Sequence, residues 1–270
     1  MKVAIVTPSI GQETLTQCLL SVQNQSYKDI VHYVFIDGEE YGCDVRNQLD
    51  LKTGSGTLKP FEDKNVPIKT VTLEENIGKG WYGHRVYAAC SFLVNADAIC
   101  YLDEDNWLEP DHVKKLVEKL KNGNQWAYSL RKIYDQKGNY ICEDNCESLG
   151  IWPVYFNDKT YHIDTSSFII NRDVATHIGH TWYGQWGADR QFFHNLKSNF
   201  PNFECTNKHT LCYRLDNNTG KGDSNPNSVN KDFFIKGNKM QKEKYDTIDF
   251  PWKQETTMVA RVAPGISIVE

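Results

Sequence analysis

Four short apolar runs in the first half of the chain constrain its fold more than any other feature: Lys2–Thr7, Val31–Ile36, Ile68–Leu73 and Ala98–Leu102. Each has the length of a strand, and the first three are rich in β-branched residues. Between the first two, Leu15, Cys18, Leu19 and Val22 recur at helical spacing within Thr14–Asn24. A short helix is expected near Asp44–Leu51, inside the polar, Gly-rich stretch Tyr41–Pro67, and another from about Trp81 to Asn95. A fourth covers Pro110–Leu120, with Pro110 at its start and Asp111 in its first turn. Strands that alternate with helices form a mainly parallel sheet with helices on both faces, an α/β class.

In such a sheet ligands sit beyond the carboxyl ends of the strands. Four polar groups fall there: Thr7-Pro8-Ser9, Asp37-Gly38, Glu74-Glu75-Asn76 and Asp103-Glu104-Asp105. The last is the most informative. Three consecutive carboxylates repel one another, and each is costly to desolvate. A hard divalent cation, Mg²⁺ or Mn²⁺, resolves both problems with one or two carboxylates plus substrate phosphate oxygens. The plainer alternative is a solvated acidic turn capping the next helix. An EF-hand is disfavoured, because Leu108 stands where its loop needs glycine.

The second half is less regular. Trp126–Lys132 and Tyr161–Asn171 read as strands, Arg172–Ile178 and Ala188–Asn199 as helices, and Cys205–Leu215 as a strand pair or hairpin. Asp216–Asp232 is rich in Asn, Gly, Ser and Lys and reads as a loop. At 270 residues one large domain is the default. The formal charge of −5 with scattered basic residues gives no nucleic-acid footprint. No run approaches the roughly 18 apolar residues of a membrane span. The chain enters a strand at once, without a leader pattern, so a cytoplasmic protein with reduced thiols is expected.

Taken in chain order, these stretches resemble the family 2 glycosyltransferases of the GT-A fold. Thr7-Pro8-Ser9 closes the first strand, and Cys18–Tyr27 resembles the family's first helix with its Gln-Ser/Thr-Tyr turn. Phe35-Ile36-Asp37-Gly38 resembles the nucleotide-binding "DG" turn. Asn76-Ile77-Gly78-Lys79-Gly80 followed by Arg85 resembles the "N-x-G" turn into a helix, and Asp103-Glu104-Asp105 the Asp-x-Asp motif. Asp164–Arg172 resembles the acceptor-side strand, Ala188-Asp189 the "Glu-Asp" pair with Ala in place of Glu, and Tyr213-Arg214 the late "Tyr-Arg" strand.

The resemblance implies a GT-A, Rossmann-like domain over residues 1–215, with a nucleotide-sugar half (1–106) and a smaller acceptor-side half (107–215). Residues 216–270 would be a flexible loop and C-terminal extension packed on the same domain. It implies transfer of a hexose from a UDP- or GDP-linked donor to a glycan, lipid or protein acceptor, with inversion. Thr7, Pro8, Ser9, Asp37, Gly78, Lys79, Arg85, Asp103 and Glu104 would bind the donor. Asp103 and Asp105 would hold Mn²⁺ or Mg²⁺, with Asp216 or His209 as a third ligand. Asp189 would be the general base, and Gln185 and Trp186 would meet the acceptor. Trp182 and Tyr183 are candidates to stack on a sugar face, against the commoner reading of aromatics as core.

Rival readings remain. Gly78–Gly83 satisfies G-x-G-x-x-G, the mark of a nicotinamide- or flavin-dependent oxidoreductase. Yet Glu74–Ile77 separates it from the strand, and the first βα turn, where the fingerprint belongs, has only Gly11. A non-catalytic nucleotide-sugar-binding relative also fits the fold. The spacings Cys142…Cys146 and Cys205…His209…Cys212 match no standard zinc site.

Overall fold

All four apolar runs form strands in the computed structural model, which describes residues 1–49, 66–78, 81–152, 162–184, 187–215, 230–245 and 250–253. They are β1 (Val3–Ser9), β2 (Ile30–Ile36), β3 (Ile68–Thr72) and β4 (Ala98–Tyr101), paired in parallel in the order β3–β2–β1–β4. Every residue of β2 and β4 is buried, so these strands read as continuous apolar runs rather than alternating ones.

Helices cover both faces. Helix α1 (Leu15–Gln23) buries its predicted stripe, with Cys18 and Val22 against Val3 and Ile5, and Leu15 and Leu19 against Val34 and Ile36. Helix α2 (Gly42–Leu49) adds Val45 to the second group. On the other face, α3 (His84–Leu93) packs Val86, Tyr87 and Cys90 against Ala4, Val6 and Tyr101. The expected start of this helix at Trp81 moves to His84, because Tyr82 and Gly83 are left-handed, with φ of +53° and +72°.

The sheet continues past β4 with mixed directions. Strand β5 (Trp107–Leu108) and helix α4 (His112–Lys121) precede the long β6 (Trp126–Tyr134) and β7 (Tyr140–Glu143). Strand β8 (Phe168–Asn171) pairs antiparallel with β4 and β6, helices α5 (Arg172–Ile178) and α6 (Ala188–Asn199) follow, and β9 (Phe203–Arg214) runs parallel to β6. The parallel arrangement therefore holds for the first half, and the second half is antiparallel at four of its junctions: β4–β8, β6–β8, β6–β7 and β5–β9.

Two expected boundaries change. The hairpin over Cys205–Leu215 is a single strand. Its polar middle is a register shift against β6, with Asn207 at φ +54°, a conformation asparagine tolerates. The strand expected from Tyr161 is shorter, because a 3₁₀ turn at Thr165–Ser167 precedes β8. Residues 216–229 of the expected loop lie outside the described residues. Lys231 and Asp232 begin helix α7 (Lys231–Tyr245), which buries Phe234 against Ile133, Cys146 and Leu215. Trp252 is fully buried and donates from Nε1 to Asn145 Oδ1 at 2.8 Å, so described parts of the C-terminal segment pack on the same core. No described helix is long and apolar enough to cross a membrane.

Two histidines are sealed inside. His112 meets Thr210 Oγ1 at 2.9 Å through Nδ1, and His32 meets Thr7 Oγ1 at 2.9 Å through Nε2. Burial pushes both imidazoles down to about 3. Unfolding restores the ordinary value near 6.5, so the unfolded chain binds these protons first. Stability from each is present above pH 6.5 and is lost as pH falls toward the folded value. Between pH 7 and 5 the His112→Gln protein should lose about 2 kcal/mol less unfolding free energy than wild type, measured by urea titration.

Candidate active site

The ladder of β4 ends with Leu102 N–H on Val6 O at 2.9 Å, and the acidic triplet begins at the next residue. Asp103 Oδ1 accepts from the Tyr87 hydroxyl at 2.7 Å, and Oδ2 accepts from the Ser166 hydroxyl at 3.1 Å. Asn106 Nδ2 lies 3.4 Å from the same Oδ2. Burial first, then the Asp164 charge, pushes the Asp103 carboxyl up to about 7. Burial, then Asp103 and Glu104, raises Asp105 well above the carboxylate range. Among the described residues no lysine, arginine or histidine pairs with either side chain. The loop itself is locked from β9, where Arg214 donates its main-chain N–H to Asn106 Oδ1 and Nε to Asp105 O, both at 3.0 Å.

Glu104 turns away from its two neighbours. It accepts from the Ser9 hydroxyl at 2.6 Å and from the main-chain N–H of Ile10 and Gln12 at 3.1 and 3.2 Å. Glu104 and Ser9 thus shape the loop after β1. Thr7 requires a correction. Its side chain is fully buried on the α1 face of the sheet, on His32 and Cys18, which leaves its main chain as the part that can meet a ligand. Pro8, on the opposite face of β1, supports the left-handed Gly83, where a Cβ would stand 3.2 Å from the proline ring.

Asp37 and Gly78, 41 residues apart, meet at one point. Asp37 accepts from Ile77 N–H at 2.9 Å and from Gly78 N–H at 2.8 Å. A Cβ on Gly78 would fall 2.2 Å from Asp37 Oδ2, so only glycine allows this clamp. Arg85 stacks its guanidinium 3.8 Å over the Trp81 ring and lies 5.3 Å from that of Tyr183. Tyr183 is 62% exposed at the rim, whereas Trp182 is fully buried and stacked on Phe192 at 4.0 Å, as core.

Asp189 occupies the first turn of α6. Its Oδ1 accepts from Arg190 N–H at 2.8 Å, and its Oδ2 lies 3.5 Å from His162 Nδ1. Burial works to raise this carboxyl, but the His162 imidazole and then Arg190 hold it below the ordinary value. It shares a field with Asp103 and Asp164, each of which it pushes upward.

His209 does not join the acidic triplet, which corrects the expectation of a third ligand. It sits on β9 with Nε2 3.2 Å from Asp144 O and Nδ1 3.6 Å from Glu143. It lines a separate cavity with Glu109, Lys132, Glu143 and Lys253. Lys79, Gln185, Trp186 and Asp216 lie outside the described residues. Among the described residues no group of three or more His, Cys, Asp and Glu is placed to hold a metal ion.

Sequence reasoning missed the support beneath the rim. Arg131, fully buried on β6, donates from Nε to Asp144 at 2.8 Å, from Nη1 to Asp164 at 2.7 Å and from Nη2 to Glu147. Its guanidinium also lies 4.4 Å over the Tyr213 ring. The available signal is a lone arginine in the apolar run Trp126–Lys132, which requires buried counter-charges. Tyr87 and Ser166, which hold Asp103, carry no signal in sequence, because they come from α3 and from the turn before β8.

The family model described as glycosyl transferase family 2 matches residues 4–196. No curated protein matches the chain in sequence. Among solved structures, S. aureus TarS 1–349 is similar with a TM-score of 0.56 and 12% identity, over 80% of this chain and 61% of that one. Its complex with UDP-GlcNAc gives 0.55 and 11%, over 80% and 59%. A longer TarS structure gives 0.54 and 14%, over 80% and 37%. The likeness is one of fold, and this chain spans about three-fifths of the length of the TarS 1–349 chain.

Arg131, Asp144, Glu147 and Asp164 all fall within the matched stretch. Arg131→Met would leave Asp144 and Asp164 without their guanidinium and Glu147 with Arg190 alone, at a cost of about 3–5 kcal/mol in urea unfolding at pH 7.5. The deficit should shrink as pH falls to 5.5, because the orphaned carboxylates take up protons.

Proposed function

Because the chain belongs to glycosyl transferase family 2, we propose that it moves a sugar from a nucleoside-diphosphate donor to an acceptor hydroxyl, with inversion and a divalent cation. The observation that carries this reading is an asymmetry of charge. Among the described residues Asp103 has only neutral donors, and burial pushes it and Asp105 toward protonation, while His162 and Arg190 hold the Asp189 carboxyl below the ordinary range.

Asp103 and Asp105 fit Mg²⁺ or Mn²⁺. They offer two oxygen-ligand side chains that no cation within ion-pair distance engages among the described residues, and such ions take one or two carboxylates and complete their shell with substrate phosphates. The cation's contribution is positive charge on the departing diphosphate. The chain's own residues do the rest. Asp37, Gly78 and Pro8 build the wall of the nucleotide pocket and Arg85 borders it, while Lys79 is assigned to the donor by its place in the sequence motif after Gly78. Ser9 and Glu104 keep the loop after β1 in place. UDP is the first donor nucleotide to test, since the TarS fold neighbours include complexes with UDP and UDP-GlcNAc; GDP is the second.

Asp189 takes the proton from the acceptor hydroxyl as that oxygen bonds to the anomeric carbon and the bond to the diphosphate breaks. Attack from the face opposite the leaving group inverts the configuration, and the ionised state of Asp189 suits a base at neutral pH. Gln185 and Trp186, which precede it in sequence, are assigned by that position to the acceptor, a glycan, lipid or protein. All eight cysteines are free thiols, which fits a cytoplasmic location.

A panel of UDP-Glc, UDP-Gal, UDP-GlcNAc and GDP-Man, with and without Mn²⁺, tests the donor half by thermal shift and calorimetry. Asp103→Asn should weaken Mn²⁺-dependent binding of the selected donor at least about tenfold. Asp189→Asn should keep donor affinity within about twofold and lower turnover by about 10²–10⁴. Donor binding indifferent to chelator and to Asp103→Asn would remove the metal. Undiminished turnover in Asp189→Asn would remove the base, and donor binding without turnover in wild type would leave a binding module.

A further inference from the structure

A carboxylate base works only if it is turned correctly toward the acceptor. Oδ1 of Asp189 is engaged by Arg190 N–H. Oδ2 faces a group that the sequence reading did not name, Nδ1 of His162 at 3.5 Å. His162 is 4% exposed, and its Nδ1 has no hydrogen-bond partner among the described residues. Buried polar atoms are seldom left unpaired, so an unpartnered nitrogen 3.5 Å from the base asks for a reason. Catalytic hydrogen bonds are often long without substrate and tighten when it binds.

The imidazole sits on anchored backbone. His162 O accepts from Gly150 N–H at 2.8 Å, and two residues on Asp164 is fixed by Arg131 and by its own N–H on Ser148 Oγ at 2.8 Å. The other charges facing Asp189 are Arg190 on α6, His84 at the start of α3, Asp103 beyond β4 and Asp164 before β8. Arg190 is shared with Glu147 at 3.2 Å and its side chain is 34% exposed, against 5% for His162. His162 is therefore the better-fixed partner.

Resting on Asp189 as the base, we propose that His162 is its positioning residue: Nδ1–H donates to Asp189 Oδ2 and turns the carboxylate's free lone pairs toward the acceptor hydroxyl. The acceptor proton ends on Asp189 and passes to solvent after product leaves, and His162 keeps its own proton. The arrangement generalises the base-and-orienter pairing of other hydrolytic and transfer sites.

The test is the pH profile of kcat for the nucleotide sugar that the panel selects, with water as acceptor. His162→Asn places an amide N–H where Nδ1 stands, His162→Gln places it where Nε2 stands, and His162→Leu supplies none. Asn should stay within about threefold of wild type, whereas Gln and Leu should lose about 10–100-fold, the usual effect of an orienting partner. In Gln and Leu the acid limb should move to higher pH by about one unit, because the ionised carboxylate has lost a partner. Donor Kd should stay within about twofold in all three. If Leu does not fold, the contrast between Asn and Gln carries the test. Equal kcat in Asn and Gln with an unmoved acid limb would reduce His162 to packing and overturn the proposal. Asp189→Asn, measured alongside, separates the two failures: full turnover there sinks the base itself, while its loss with an unmoved limb in Gln sinks only His162.

Discussion

Negative charge crowded into a partly desolvated rim is the constraint on which this structure depends. Asp103, Glu104, Asp105, Asp164 and Asp189 come from three segments of chain and share one field, and each must be compensated or protonated. The compensation is uneven. Glu104 is satisfied by a hydroxyl and main-chain N–H groups. Asp164 is paired to the buried Arg131. Asp189 leans on His162 and Arg190. Among the described residues Asp103 has only the hydroxyls of Tyr87 and Ser166 and the amide of Asn106. Environments that push like groups apart assign them different tasks. On the proposed reading, the rim thus divides into a place for a cation and a place that keeps an anion.

Most of the first half was legible because its signals are local. Strands buried on both faces betray themselves as short apolar runs, and the stripe of α1 packs as its spacing predicts. Helices α5 and α6 fall on the expected bounds. Even the encounter of Asp37 with Gly78 follows from topology, since parallel strands deliver their ends to one edge. Thr7 shows where such reading fails. A motif taken as a block ignores that successive strand residues face opposite ways. Thr7 follows Val3 and Ile5 toward α1, while Pro8 turns to the other face and meets Gly83.

The second half was less legible because its determinants are long-range. Nothing within Cys205–Leu215 reveals that its polar centre is a register shift; the strand continues because β6 is there to pair with it. His209 invites a metal reading by residue type, yet its strand position points it at Asp144 and Glu143. Arg131 stands among apolar neighbours, and its partners lie 13, 16 and 33 residues away. Fixing those distant acids around one guanidinium is specificity that no local propensity encodes.

The same network explains how two halves of the chain can act as one site. Asp103 is the joint: it follows β4, Tyr87 reaches it from α3, and Ser166 from the turn leading into β8. His84 Nδ1 adds a second tie, 3.0 Å from Gly184 O, at the segment that leads into α6. Asp103 and Asp189 also sense each other's charge, so an anion arriving at one would raise the proton affinity of the other. If Asp189 is the base, as proposed, a donor diphosphate alone would therefore tend to protonate it. On the proposed reading, a divalent cation entering with the diphosphate cancels that added charge and leaves Asp189 ionised. The electrostatics then favour donor and cation binding together, since either one alone would unbalance the field in which Asp189 works.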